Sequence, residues 1–598
     1  IRYYIGAAKY TAAFTPSRII GQTTQDSLVD SPTNYGTDSG LGGEVRGNYA
    51  TLNPLDNSGL TLSNGNLDWN GGTSQTYARS TIFVSSGKWY CEFTMRSTDH
   101  IPGIINSEHP DGSGELGEYG SSRFQNTGTI GYSGANSVTG GLTWAVGDIV
   151  QLYMDMDNKA IYWGVNGTLK VGNDGNTGVP TSGASMTGAV IKPSMSGITD
   201  RISSGSWGPG ASTYGNTSAN SSVNFGQRAF KYTAPAGFKC LCTQNLDDLF
   251  GEADKNDPSK YFDNKTWTGT GSNNTDYNFL KFQPDLAIIQ GRSHTGDPTV
   301  FDAIRGVTKE MYINSNSAEV TEADGLQAFL SDGVELGQND NVNGSGRTYA
   351  GYFWDAGTAA ATPSTDGSIT PSAQWVNATA GFSITTWTDP GTNTTNIGHA
   401  LGAPPEIIIT KVYDQTGYFS AFNLYSKAFQ STLTTQNMSA NLDFEPDDGG
   451  YFPTAPDNTK VYFGGNNIQD EMIMYAWTSI PGYSAMGAID GNNHHNNGPF
   501  VFTGFRPAFI LSKENSDNCP WIVFYNSVWK YNGLYSDWEV RHFNEDENEA
   551  TVTHDGETVD ILSNGFKIRA NTTGWNSSTN KIIWMAFAEH PFKIMRAR

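Results

Sequence analysis

The sequence predicts an all-β chain made of serial antiparallel β-sandwich domains. With 598 residues the chain is longer than one hydrophobic core usually organises, so several domains are expected. Glycine occurs 69 times, aromatic residues reach 12% and charged residues are only 16%. This composition is typical of short strands joined by tight polar turns. An internal repeat in the second half divides the domains into two kinds.

The charge balance excludes nucleic acid as a partner. The chain carries 36 basic and 59 acidic residues, which gives a net charge of −23, and it has no basic block. Such a surface repels phosphate backbones. No segment approaches the roughly 18 consecutive apolar residues that a membrane span requires, so no membrane insertion is expected.

The cysteines do not suggest a disulfide framework or a metal site. Cys91, Cys240, Cys242 and Cys519 are too few and too scattered to staple a small fold. The single residue between Cys240 and Cys242 is the wrong spacing for CxxC redox or zinc chemistry. We expect these thiols to be reduced or buried.

The first 245 residues divide into an arm and a sandwich. Residues 1–48 alternate short apolar clusters with turn residues and lack helical periodicity, which favours an N-terminal arm or connector. Clear strand patterns follow at 87–95, 148–155 and 160–165. The polar link 156–159 between the last two is typical of a hairpin turn. Antiparallel strands with tight turns predict a β-sandwich over 49–245.

The motifs in this sandwich resemble those of SPRY domains in phage virion proteins. The segments that carry the resemblance are Gly87-Lys88-Trp89-Tyr90-Cys91-Glu92-Phe93, Asp155-Met156-Asp157-Asn158 and Ile161-Tyr162-Trp163-Gly164-Val165-Asn166-Gly167. The resemblance implies a concanavalin-like fold of two sheets that binds partners through loops at one edge. It implies no catalytic residues.

Beyond a linker at 246–276 the chain repeats one unit three times. Each repeat opens with a Pro-led apolar strand, and the prolines Pro284, Pro405 and Pro507 lie 121 and 102 residues apart. Each repeat also closes on an aromatic strand. The pattern predicts three related β modules arranged as a modular, elongated molecule. The predicted bounds are 277–360 for β module 1, 361–495 for a linker with β module 2, and 496–598 for β module 3.

The repeat block resembles the β-rich modules that follow SPRY domains in structural proteins of marine phages. The order of the strands carries this resemblance, together with Arg305-Gly306 after the second strand of the first module. Modules of this kind have no assigned chemistry.

Acidic residues offer the only candidates for hydrolytic chemistry. Glycosidases need two carboxylates held about 5 to 10 Å apart in a groove. Catalytic carboxylates usually come from different strands, so neighbouring acids are better interpreted as solvated turn residues. The neighbouring pairs are Glu115 with Glu118, Asp443 with Glu445, and Asp447 with Asp448.

Two segments contain residue types that bind metals, and neither pattern supports a metal site. Adjacent His494 and His495 point in opposite directions on an extended chain, which favours an incidental loop pair. The acidic segment 443–449 contains oxygen ligands suited to Ca²⁺ but lacks the spacing of an EF-hand loop. We therefore expect no metal ligands, no cofactor-binding residues and no catalytic residues.

The tryptophans divide into core and contact candidates by their local sequence. Trp89, Trp163 and Trp354 lie within predicted strands, which favours burial in sandwich cores. Trp207 and Trp575 lie in Gly-rich or polar segments, which favours exposed aromatic rings that bind a partner.

These observations lead to a functional expectation that rests on the resemblance. The resemblance implies that the chain is a structural component of a tailed bacteriophage virion, in a tail fibre or a host-receptor-binding appendage, and that it is not an enzyme. The expected partners are other virion proteins, further copies of the chain in a homotrimer, and a host surface receptor, for which a glycan is one candidate. The alternatives are a capsid decoration or head-fibre protein and, less favoured, a glycan-degrading tailspike. A tailspike would show the short repeats of a β-helix, which are absent here.

Overall fold

The computed structural model is all-β, which confirms the predicted fold class. Short 3₁₀ helices lie among the strands at Gly183–Ser185, Thr243–Asn245 and Pro258–Lys260. No helix in the described part is long and apolar enough to cross a membrane. The structure describes residues 39–44, 47–71, 76–107, 116, 120–132, 135–193, 206–215, 219–246, 257–359, 362–392, 394–416, 422–427, 438–439, 452–464, 470–494, 497–514, 521–526, 538–542, 550–552, 558–570, 575–578 and 580–589.

The first unit is a sandwich of two sheets whose strands pair antiparallel except for β15 with β5, the architecture that the SPRY resemblance implies. One sheet has the strand order β1-β4-β13-β6-β7-β8-β9, and the other has β12-β11-β10-β5-β14-β3-β2 with β15 added beside β5. Its strands are β1 (Leu52–Asn57), β2 (Thr61–Ser63), β3 (Asp68–Asn70), β4 (Thr76–Ser80), β5 (Lys88–Thr94), β6 (His100–Asn106), β7 (Ser121–Phe124), β8 (Ile130–Tyr132), β9 (Ala135–Val138), β10 (Ile149–Asp155), β11 (Ala160–Val165), β12 (Thr168–Leu169), β13 (Trp207–Thr213), β14 (Ser221–Asn224) and β15 (Lys239–Cys240).

Two turns predicted from the sequence are present in this sandwich. Strands β10 and β11 pair antiparallel as far as Asp155 opposite Ala160, so residues 156–159 form the turn. Asn166 and Gly167 then connect β11 to β12, and both have positive φ angles, of 49° and 84°. Positive φ at both central residues is the geometry of a type I′ hairpin turn, which the Asn-Gly pair favours.

The second half contains three related modules. Module 1 spans 257–355, module 2 spans 356–478 and module 3 spans 479–589. Their strands are β16 (Phe262–Thr268), β17 (Thr275–Tyr277), β18 (Leu286–Gly291), β19 (Thr299–Asp302), β20 (Lys309–Tyr312), β21 (Val320–Thr321), β22 (Leu326–Leu330), β23 (Gly333–Leu336), β24 (Thr348–Trp354), β25 (Thr358–Ala359), β26 (Ala373–Asn377), β27 (Phe382–Thr388), β28 (Thr394–Gly398), β29 (Ile407–Val412), β30 (Asn423–Ser426), β31 (Met438–Ser439), β32 (Lys460–Gly464), β33 (Glu471–Trp477), β34 (Ser484–Asp490), β35 (Phe500–Phe502), β36 (Pro507–Glu514), β37 (Ile522–Tyr525), β38 (Trp538–His542), β39 (Ala550–Val552), β40 (Val559–Leu562), β41 (Gly565–Ile568) and β42 (Lys581–Ala588).

The three modules share one strand order. The large sheets contain β16-β24-β18-β19 in module 1, β27-β33-β29-β30 in module 2 and β34-β42-β36-β37 in module 3. Each module adds a small sheet, formed by β17-β23-β22, β28-β32 and β35-β41-β40 respectively. The Pro-led strand of each repeat is therefore β18, β29 or β36, and the closing aromatic strand is β24, β33 or β42.

Each large sheet is buried on both faces. In β18, Leu286 and Ile288 face a core shared by the three modules, while Ala287 and Ile289 face a core within module 1. Strand β36 alternates in the same way between the shared core and the core of module 3. Because side chains alternate along a strand, burial of both faces produces a continuous apolar run.

The shared core, here called the axial core, joins the modules into one body. Phe262 of module 1 stacks on Phe587 of module 3 with ring centroids 4.5 Å apart. Trp354 of module 1 meets Trp477 of module 2 edge-on at 6.1 Å. The modules are consecutive in sequence, as predicted, but the expectation of an elongated string is wrong. A string of separate modules would leave one face of each large sheet exposed to water.

The first strand of each module precedes its Pro-led strand. Strand β16 lies within residues 246–276, which the sequence analysis assigned to a linker, and it pairs with β24 along its whole length. Strand β34 lies within the residues assigned to module 2 but pairs with β42 of module 3. The sequence Phe-Asp-Asn-Lys-Thr-Trp-Thr of β16 is largely polar, so it gave no apolar signal.

The sandwich contacts module 3 directly. Phe83 meets Phe502 with ring centroids 4.9 Å apart. The Nδ2 atom of Asn564 donates to the carbonyl of Thr81 at 2.9 Å, and the Nζ atom of Lys567 donates to the carbonyl of Leu55 at 2.7 Å. The two kinds of domain are therefore in contact through both apolar and polar groups.

We predict that the three modules unfold as one unit. Phe587→Ala removes a fully buried ring that touches module 1, at a cost of about 3–5 kcal/mol in the free energy of unfolding. Hydrogen exchange by mass spectrometry should show equal loss of protection in β18, β29 and β36. Phe238→Ala in the sandwich core is the control and should leave these strands unchanged. Loss confined to β36 after Phe587→Ala would contradict a shared core.

Candidate functional site at the axis of the modules

An apolar cavity lies where the modules meet. Its volume is about 40 Å³, room for a few water molecules at roughly 10–15 Å³ each. Module 1 provides four of the lining side chains, module 2 four and module 3 two. Because apolar side chains dominate its walls, the cavity favours an apolar occupant over water. The lining residues are Leu286, Ile288, Val300, Ile313, Ile409, Phe422, Tyr475, Trp477, Leu511 and Trp521.

A buried charged network begins at the cavity wall. The hydroxyl of Tyr475 in module 2 donates to Oδ2 of Asp302 in module 1 at 2.7 Å. Burial, followed by the charge of Asp302, raises the pKa of Tyr475, which keeps this hydroxyl protonated. The same carboxylate accepts from Nε of Arg305 at 2.6 Å and from its backbone N–H at 2.9 Å. Asp302 therefore connects two modules through charge-assisted hydrogen bonds.

Arg305 has further acceptors within module 1. Its Nη1 atom lies 3.2 Å from Glu319, and its Nη2 atom donates to the carbonyl of Val300 at 3.2 Å. The side chains of Asp302 and Arg305 are 0% and 2% exposed, so solvent hardly screens this pair. Lys309 also contacts Glu319, at 3.1 Å, where the network reaches the surface.

Lys411 of module 2 also contacts module 1, near enough to the network for its charge to interact with that of Arg305. Its Nζ atom donates to the carbonyl of Ser315 in module 1 at 3.2 Å and lies 4.8 Å from the ring centroid of Phe422. Burial, with a smaller effect from the charge of Arg305, lowers the pKa of Lys411 to about 7. An amine with such a pKa can act as a base or a nucleophile at neutral pH. This amine is enclosed between two modules, so its directional contacts help to define how the modules are oriented relative to each other.

The two tryptophans predicted to be exposed are buried. Trp207 begins β13 and faces the sandwich core, where its ring lies 6.4 Å from that of Tyr132. Trp575 fills the inner core of module 3 and lies 5.5 Å from Phe524. Both are 0% exposed. The prediction was wrong because Gly-rich and polar flanking residues were interpreted as loops, although each tryptophan fills a sheet core.

The other aromatic and cysteine predictions are confirmed where the structure describes them. Trp89 and Trp163 lie in the sandwich core and Trp354 lies in the axial core. Cys91, Cys240 and Cys242 are buried, and Cys519 lies outside the described residues.

All six candidate acids lie outside the described residues. This applies to Glu115, Glu118 and all four acids between 443 and 448, and also to His495. His494 is exposed, and its Nδ1 atom accepts from the backbone N–H of Asn497 at 3.0 Å. Among the residues that can be described, no group of three His, Cys, Asp or Glu side chains could hold a metal ion.

Sequence reasoning missed the residues of the charged network. One available signal was Lys411, a cation in the otherwise uncharged strand Ile-Ile-Ile-Thr-Lys-Val. The pair Arg305-Gly306 is visible in the sequence of the repeat block. The local sequence does not indicate that Asp302 and Tyr475 lie beside the guanidinium group of Arg305. Contacts between modules follow from how the sheets face each other, which local patterns do not contain.

A known family model matches the part of the chain that contains the three modules. Residues 257–591 match the model of a family described as a domain of unknown function, DUF7483. The chain belongs to the DUF7483 family. The matched range covers all three modules, so the DUF7483 unit corresponds to the body built around the axial core. No curated protein matches the chain.

Solved structures similar to this chain include SPRY domains. The SPRY domain of human HERC1 is 14% identical, covers 29% of this chain and 95% of its own, and has a TM-score of 0.22. The PSpry domain of TRIM65 is 10% identical, covers 30% of this chain and 93% of its own, and has a TM-score of 0.21.

The charged network yields a stability prediction. Asp302→Asn keeps the shape of the side chain but removes the charge that faces buried Arg305. We expect the free energy of unfolding to fall by about 3 kcal/mol, because a buried cation loses its main counter-ion. Asp340→Asn, in the exposed pair with Arg347, is the control and should change it by less than about 1 kcal/mol. Denaturant unfolding measures both values. An equal loss of unfolding free energy in Asp302→Asn and Asp340→Asn would contradict a buried network.

Lys411 yields a prediction about pH. Its pKa is about 7 in the folded protein and near 10.5 when unfolded, so the folded state binds fewer protons between these values. The contribution of Lys411 to stability therefore increases as pH rises from about 7 to 10.5. Lys411→Met removes this increase and should stabilise the protein at pH 6, by about 1–4 kcal/mol. Lys309→Met, at a partly exposed position, is the control. A Lys411→Met variant that is less stable than wild type at pH 6 would contradict the prediction.

Proposed function

We propose that this chain is a structural component of a tailed bacteriophage virion, in a tail fibre or a host-receptor-binding appendage. The resemblance of residues 49–245 to SPRY domains of phage virion proteins supports the virion location. The order of domains supports it further, because a SPRY-like sandwich precedes three β modules, as in the phage proteins that the sequence resembles.

The structural observation that carries the proposal is the joining of all four β units. The axial core fixes the three modules to one another, and Phe83, Asn564 and Lys567 hold the sandwich against module 3. A receptor-binding appendage has to present its binding loops on a base that keeps their geometry. Rigid elements position a binding surface more accurately than flexible linkers do.

The charged network supports a binding role over an enzymatic one. Asp302, Arg305 and Lys411 are charged side chains buried at the axis, and all three are enclosed between modules. A substrate would have to separate the modules to reach them. We therefore propose no reaction for this chain and assign the network to fixing the relative orientation of the modules.

The proposed partners are a host surface receptor, other virion proteins and further copies of the chain. Exposed apolar side chains occur on both kinds of domain. Val171 and Val179 of the sandwich are 45% and 42% exposed, and Val307 and Val320 of module 1 are each 37% exposed. A homotrimer contact or a receptor contact would bury such side chains and so remove apolar surface from water.

Two measurements on intact particles test the location and the role. Antibody against the sandwich should label tail appendages in electron microscopy, and the purified full chain should block adsorption of particles to host cells. Label over the head without competition for adsorption would instead favour a capsid decoration or head-fibre protein.

A pair of variants tests which unit contacts the host. Val171→Asp places a charge on the sandwich and Val320→Asp places the same charge on module 1, at similarly exposed positions. If the sandwich binds the receptor, Val171→Asp should reduce the competition for adsorption and Val320→Asp should not. The reverse result would move the contact to the DUF7483 block.

A further inference from the structure

Two carboxyl groups meet at the joint between modules 1 and 2. Asp285 precedes β18 and is 1% exposed, and Asp355 follows β24. The two carboxyl groups lie beside each other, because the consecutive backbone N–H groups of Ala356 and Gly357 bond one of them each. A hydrogen bond between two carboxyl groups needs a proton on one of them, because two carboxylates are acceptors only.

The remaining contacts of the pair come from neutral groups. The backbone N–H of Ala356 donates to Asp285 at 2.8 Å, and that of Gly357 donates to Asp355 at 2.6 Å. The Nδ2 atom of Asn377 in β26 donates to Asp355 at 3.1 Å. The titratable groups that face the pair include the phenols of Tyr261 and Tyr483.

Module 2 offers an internal comparison. The backbone N–H of Asp285 bonds to the carbonyl of Trp354 at 2.8 Å, and that of Glu406 bonds to the carbonyl of Trp477 at 2.7 Å, so the two acids occupy equivalent positions. Glu406 is paired with Lys427 at 2.8 Å. A cation thus neutralises the acid in module 2, whereas in module 1 a second acid takes the place of the cation.

We propose that Asp285 and Asp355 share one proton in the folded protein, and that release of this proton to solvent at alkaline pH loosens the joint between modules 1 and 2. Without the proton, two negative charges would face each other in a poorly solvated site. The joint is where the chain leaves module 1 for β25 and β26, and Asn377 of β26 is bonded to the pair.

The direction of the pH effect follows from the pKa of Asp285 in the folded and the unfolded state. Burial, followed by the charge of Asp355, raises the pKa of Asp285 to about 8, whereas its ordinary value is 3.8. The folded state therefore binds more protons than the unfolded state between these values. The stabilising contribution is complete below about pH 4 and is lost as pH rises through about 8. Lys411 acts in the opposite direction above pH 7, so the pair must be isolated by comparing variants.

Asp285→Asn in the full chain tests the shared proton, because the amide imitates the protonated acid. The denaturation midpoint of wild type should fall relative to that of the variant as pH rises from 5 to 8.5. Unfolding at pH 6 should release about one proton more from wild type than from Asp285→Asn, as measured by potentiometry. Equal proton release and equal pH slopes would overturn the proposal.

Two further variants make the test independent of one substitution. Asp355→Asn removes the other member of the pair and should flatten the pH dependence in the same way. Glu406→Gln removes the equivalent acid of module 2 and should lower stability while leaving the pH difference between wild type and Asp285→Asn intact. Hydrogen exchange, corrected for intrinsic rates, should show loss of protection in β25 and β26 of wild type between pH 7 and 9, and protection in Asp285→Asn should persist. Unchanged protection in wild type would overturn the loosening of the joint.

Discussion

Burial of the second face of each large sheet is the constraint on which the rest of the structure depends. The small sheet of each module covers one face, and only the axial core covers the other. Aromatic contacts such as Phe262 with Phe587 and Trp354 with Trp477 lie across module boundaries. Because aromatic side chains bury large areas, separation of the modules would expose much of this surface to water. The three repeats therefore form one domain, which agrees with the extent of the DUF7483 match.

A shared core also determines where charged groups can lie. Asp302, Arg305 and Lys411 are enclosed because the sheets that carry them face another module. Each needs a partner, since an unpaired charge in a buried site is costly, and two of the three have one across the boundary. Asp302 accepts from Tyr475, and Lys411 donates to Ser315. These polar contacts depend on relative orientation, so they select one arrangement of the modules, whereas apolar packing alone would tolerate several.

The sequence predicted the strands and the repeat but not what lies between the repeats. The run Leu286-Ala287-Ile288-Ile289 indicates a strand with two buried faces, yet the pattern is the same whether a neighbouring module or a helix covers the second face. The Asn166-Gly167 turn was predictable because its φ angles are set locally. Trp207 and Trp575 were assigned to the surface because their neighbours are polar, and their burial depends on distant strands. The charged network was unpredictable for the same reason.

The unequal spacing of the repeats has a structural origin that bears on the carboxyl pair. The 121 residues between Pro284 and Pro405 include β25 and β26, which lengthen the large sheet of module 2 beyond those of modules 1 and 3. This insertion begins immediately after Asp355, and it supplies Asn377, which bonds that carboxyl group. The equivalent acid in module 2, Glu406, has a lysine partner instead. The one joint with an inserted hairpin is thus also the joint with two facing acids. Threefold similarity of the modules does not extend to their connections, and pH sensitivity is expected where the connection differs.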